Sequence, residues 1–268
     1  MKRIKNLIIS MLVVLSVGML GAWTPEYAIS AEDRYADIVA LSPYATEIIA
    51  FDQKETDMKL NSAPQYKALS GMLNACGAVA GSEIVAYYDK YYSNMIPDWQ
   101  SYFPANGKYR AQDKVYVPSV MNELYSLMRT NVNDVGVSES DFVYGLKQYI
   151  NSNGYSVGFQ NVVNGTSIDY SACKSAIDNN KVIALLSRAV DVYNITENPT
   201  QDSINSTTIS DLHIMVASGY KEIKYYKGGS LFRTDRYLFV STGLDGYGTA
   251  YYKVNPHSLN YAYVVNIS

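Results

Sequence analysis

The chain has 268 residues, 48% of them hydrophobic and 18% charged, which is enough apolar content for one large packed domain. Its formal net charge is −3; removing residues 1–30 takes out Lys2, Arg3, Lys5 and Glu26 and leaves −5. An acidic chain with no basic stripe excludes nucleic acid and anionic membranes as partners on electrostatic grounds. In chain order, residues 1–30 read as an export signal. Lys2, Arg3 and Lys5 form its basic start, 7–20 its apolar run, and Ala28-Ile29-Ser30 its small-residue cleavage site. The apolar run is short for a membrane span and no second one follows. The expectation is a secreted, extracellular protein of bacterial-type export, with no membrane attachment after signal cleavage. Residues 31–60 are charged and mixed and read as an N-terminal arm or pro-segment, and 61–268 as the folded domain.

Residues 61–72 read as a loop leading to a helix. From Val79 the apolar residues Ala80, Ile84, Val85, Tyr87, Tyr88 and Tyr91 keep near-helical spacing, and Pro97 blocks a long continuation. A second helix is expected after Pro118, with Val120, Leu124, Leu127 and Met128 on one face. A third starts at Ser138, where Ser138 and Asp141 form a pair like a capping box, and ends at Gly154. The second half changes character. Residues 155–159 alternate like a strand, 170–179 read as a short helix, and 182–186 as a buried strand. Residues 197–210 read as a polar loop. Strands follow at 213–220, 236–242, 251–254 and 261–267, with a turn at Lys227-Gly228-Gly229. Helices first and strands later make an α+β pattern.

Chemistry centres on Cys76. Asn74 reads as a helix N-cap, which puts Cys76 in the first turn. Unpaired N–H groups and the partial positive charge of a helix start favour a thiolate, the nucleophilic form. The only other cysteine is Cys173. Export permits a Cys76–Cys173 disulfide, but Cys173 sits in a helical run of small residues where a buried free thiol is ordinary. A thiol nucleophile needs a base that later returns the proton to the leaving group, and histidine suits this near neutral pH. The chain has only His213 and His257. His213 opens a strand after a polar stretch, whereas Asn255-Pro256-His257-Ser258 has the composition of a surface turn.

A helix-borne cysteine in the first half and a strand-borne histidine 137 residues later resemble the layout of papain-like cysteine peptidases. The local motif Asn74-Ala75-Cys76-Gly77-Ala78 is similar to that of the secreted relatives of the double-glycine leader peptidases of bacteriocin export. Over roughly residues 61–255 the resemblance implies a papain-like α+β fold. In it a helical N-terminal half, carrying the nucleophile helix, packs on an antiparallel sheet from the C-terminal half. It implies a monomeric cysteine peptidase acting on a peptide or protein substrate, with Cys76 as nucleophile and His213 as general base and acid.

Two positions depart from the family pattern. The family places a Gln six residues before the nucleophile as an oxyanion donor; here that residue is Ser70, with Asn74 or Gln65 as substitutes. The family's Asn that orients the imidazole falls at Thr242, and Asp245 in the turn beyond is the expected replacement, ahead of Asp211. Loss of one oxyanion donor typically costs about 2.7–4 kcal/mol of transition-state stabilisation. A degenerate surface or binding protein and an amidase or acyltransferase on the same Cys–His machinery therefore stand as alternatives. Asp134, Glu139 and Asp141 lack calcium-loop spacing, two distant Cys and two distant His residues make a poor zinc set, and no phosphate-cradling glycine loop occurs. The expectation is no metal and no cofactor.

Overall fold

A computed structural model describes residues 45–99, 113–132, 135–244, 248–254 and 259–268. The expected export signal and the first part of the 31–60 segment lie outside the described residues. Two strands come first, β1 (Ala45–Ala50) and β2 (Gln53–Leu60). Three helices follow: α1 (Cys76–Asp89), α2 (Asp113–Leu127) and α3 (Glu139–Ser152). Then come β3 (Val157–Asn161), the small pair β4 (Val163–Asn164) and β5 (Ser167–Ile168), and α4 (Tyr170–Asp178). The chain closes with β6 (Ile183–Glu197), β7 (Gln201–Lys227), β8 (Ser230–Ser241), β9 (Thr249–Lys253) and β10 (Leu259–Ile267).

Among the described residues 46% are in strands and 25% in helices. The expected papain-like α+β arrangement, a helical first half packed on a sheet from the second, is thereby corrected to a mostly β architecture. Two physical causes account for the difference. Residues 45–60 are charged, yet they pair antiparallel along β7, β1 through its first six residues and β2 through Gly219 to Tyr226. The strands of the second half also run far beyond their apolar cores. Residues 197–210, expected as a polar loop, form the end of β6, a tip at 198–200 and the start of β7. Their Ser, Thr and Asn side chains hide the strand signal, and the inward-facing Asp202 is fully buried because Lys54 and Tyr225 Oη satisfy its carboxylate.

The main sheet runs β1-β7-β8-β9-β6-β10-β3, with β2 on β7. Pairing of β6 with β7, β7 with β8, β8 with β9 and β9 with β6 closes a ring of four strands. Ile49, Phe51, Ile204, Ile223, Tyr225 and Tyr237 form a small core on this part of the sheet. The larger core joins α1, α2 and α3 to β6, β7 and β10 through Val79, Ile84, Leu124, Phe142, Ala184 and Ile214.

Helix α1 is buried from Gly77 to its end at Asp89, so it has no solvent face. It stops earlier than its apolar spacing suggests, where Asp89 Oδ1 accepts from the Ile96 amide at 2.7 Å. Helix α2 starts before Pro118 rather than after it and carries the proline inside. Ser138 caps α3 by accepting from the Asp141 amide, as its sequence indicates.

Candidate active site

Cys76 is the first residue of α1, but its local frame differs from the expected one. Ala75, not Asn74, occupies the N-cap position, and no side chain caps the helix. Asn74 is left-handed, with φ of 54°. Asn and Asp tolerate that region better than most residues because their short side chains bond locally. Asn74 Nδ2 donates to Asn131 Oδ1 at 2.8 Å, and Asn131 Nδ2 donates back to the Leu73 carbonyl at 3.1 Å. Tyr125 Oη donates to the same carbonyl at 2.9 Å. The turn before Cys76 is thus pinned by α2 and the α2–α3 connection, and no side chain caps the helix start beside the cysteine.

Cys76 is half-buried, with its sulfur against the backbone of Ile214, the residue after His213 on β7. Burial raises its thiol pKa above the ordinary range, while the backbone groups of Ile214, Gly77 and Cys76 itself pull the other way. Burial thus opposes the pull toward the thiolate that the helix start exerts. Cys76 and Cys173 are both free, and burial pushes Cys173 up to about 12, so the disulfide alternative is not realised.

His213 is buried at 5% exposure, and burial lowers its pKa, opposed by the Thr242 carbonyl and by Asp211. Its Nε2 lies 2.6 Å from the Thr242 carbonyl oxygen. A carbonyl only accepts, so Nε2 carries the proton, and in the neutral ring Nδ1 holds the lone pair. Thr242 is itself fully buried and fixed. Its amide donates to Gly248 at 3.1 Å, and its Oγ1 accepts from the Leu244 amide at 3.2 Å. Gly243 follows with φ of +69°, where a Cβ would stand 3.0 Å from Val79 Cγ1 of α1. That close approach joins the histidine-orienting turn to the nucleophile helix.

The structure therefore brings Cys76 next to the strand position of His213, and Thr242 to the imidazole. Asp245, the expected third member, lies outside the described residues, as does His257. Ser70 is exposed in a turn, and Asn74 is engaged with Asn131; among the described contacts neither reaches the sulfur. Gln65 extends toward the far turn, its Oε1 3.3 Å from where a Cβ on Gly248 would lie. Among the described residues no group of three His, Cys, Asp or Glu side chains is placed to hold a metal.

Sequence reasoning missed two groups. The Thr242 carbonyl orients His213, and every residue has a carbonyl, so no side-chain signal marks it. Glu83, buried on α1, accepts from the Tyr66 amide at 2.9 Å and from Ser241 Oγ at 2.5 Å. Its signal was present: one carboxylate inside an apolar helical run, seven residues after the cysteine. No family model, curated protein or solved structure matches the chain.

Proposed function

We propose that the chain is an exported thiol hydrolase that cleaves peptide bonds through a thioester on Cys76. The observation that carries this reading is the pairing of two placements. The Cys76 sulfur sits at an uncapped helix start against Ile214, and His213, the residue before Ile214 on β7, has its ring held by the Thr242 carbonyl in the tautomer that leaves Nδ1 basic. The chemistry is that of the papain-like cysteine peptidases, which the motif around Cys76 resembles. Nδ1 of His213 takes the thiol proton as the sulfur attacks the substrate carbonyl carbon. The Cys76 amide donates to the oxyanion that forms. The imidazolium then passes its proton to the leaving amine as the C–N bond breaks, giving the thioester. Water, deprotonated by the same ring, attacks the thioester and returns the thiol.

A mixed peptide library incubated with the purified chain and read by mass spectrometry tests this reading. Cleavage that disappears in Cys76→Ala and in His213→Ala is the expected result. A library left intact by the unmodified chain, or cut equally by Cys76→Ala, contradicts it.

One observation favours a second reading. Ser70 offers no donor at the sulfur, and burial stabilises the Cys76 thiol, as a non-catalytic binding protein would tolerate. The two readings separate on whether Cys76 is reactive.

A further inference from the structure

Glu83 follows Cys76 by two turns of α1, so both side chains leave the same face of the helix. Its side chain is buried among apolar neighbours, with only 1% of the residue exposed. Burying a carboxyl is unfavourable unless hydrogen bonds replace its hydration. One oxygen, Oε1, receives both bonds described above, from the Tyr66 amide at 2.9 Å and from Ser241 Oγ at 2.5 Å. Tyr66 belongs to the 61–72 segment that leads to the nucleophile. Ser241 is the last residue of β8 and directly precedes Thr242, whose carbonyl holds the His213 ring. A single oxygen thus ties together the Cys76 helix, the segment approaching it and the strand end that orients the imidazole. An apolar side chain would fill the same volume without joining these parts.

We propose that Glu83 is a positioning residue for Cys76 and His213, holding the end of β8, and through Thr242 the imidazole, against the nucleophile helix. The proposal rests on reading those two residues as the reacting pair. Burial pushes the Glu83 carboxyl up to about 8, against the pull of the Ser241 and Tyr66 bonds, so at neutral pH it stands as an uncharged acid. Glutamine therefore mimics it closely, with the same shape, no charge and the same acceptor oxygen. Alanine removes the acceptor and leaves two buried donors without it.

The test compares Glu83→Gln, Glu83→Ala and Ser241→Ala in the full chain, with folding checked by circular dichroism. With only two histidines in the sequence, the imidazole nitrogen resonances of His213 are assigned by their loss in His213→Ala. Glu83→Ala and Ser241→Ala are expected to shift the His213 nitrogen signals toward a mixture of tautomers. They should also slow labelling of Cys76 by an epoxide inhibitor roughly ten- to a hundredfold, the scale of a misplacement of about 1 Å. Glu83→Gln is expected to retain the wild-type signals and rate. Where Glu83→Ala does not fold, Ser241→Ala carries the comparison. Wild-type His213 signals in a folded Ser241→Ala overturn the proposal. Shifted signals in a chain whose wild type never labels support the positioning role and reject the hydrolase reading instead.

Discussion

At Cys76 two opposing influences meet. The amides of the helix start and of Ile214 stabilise a thiolate, while partial burial raises the thiol pKa and prevails. Enclosure also holds the His213 pKa below its usual value. Under the proposed hydrolase reading, a raised thiol and a lowered imidazole place the proton transfer during attack rather than before it. The rate of Cys76 alkylation by iodoacetamide is therefore expected to keep rising with pH through 8, toward the raised thiol pKa. A rate already level from pH 5 upward would instead show a preformed thiolate–imidazolium pair. Cys76 and His213 stand out in the sequence because cysteine and histidine are scarce, two of each, but His213 lies inside β7 rather than at the start of a strand, where the sequence had placed it. The Thr242 carbonyl was not, because its role depends on where the backbone turns. The Asn74 cap failed for a similar reason: its amide finds Asn131, a partner 57 residues away that local spacing does not reveal.

Among the elements, β7 organises the molecule. Its first half lies between β1 and β6, its second half between β2 and β8, and His213 falls within the β6-paired stretch. The turn at Gly228-Gly229, the cap at Ser138 and the short helix at 170–178 were readable, since each follows from local backbone chemistry. The length of β7 was not, because much of its first half is polar and its buried Asp202 looks like a loop residue until its partners are known. Lys54 Nζ reaches Asp202 at 2.9 Å and also bonds Glu197, so β2 is tied to the β6–β7 hairpin by charge as well as by pairing. Asp202→Ala leaves Lys54 and Tyr225 Oη without that carboxylate. A loss of about 3–5 kcal/mol of unfolding free energy in urea is expected, the usual consequence of breaking a buried pair. A loss under about 1 kcal/mol would show that the ion pair contributes no more than a surface one.

At the level of the whole molecule, the candidate site lies where the helical layer meets the sheet. Cys76 comes from the start of α1 and His213 from the middle of β7, and the Thr242–Gly243 turn closes against Val79 of α1. The α+β expectation of helices first and strands later failed because the charged 45–60 segment hid two strands ahead of the helices, and because sheet content depends on pairing partners far apart in sequence. What the change of architecture leaves in place is a helix start that sets Cys76 beside Ile214, one residue after His213 on β7, and the proposed function rests on that placement. The most direct measurement is mass spectrometry of the full chain after incubation with a papain-type epoxide inhibitor between pH 6 and 8. Stoichiometric modification of Cys76, with Cys173 untouched and the adduct lost in His213→Ala, is the predicted result. A free, unmodified Cys76 in the folded wild-type chain, or labelling indifferent to His213→Ala, would contradict the account.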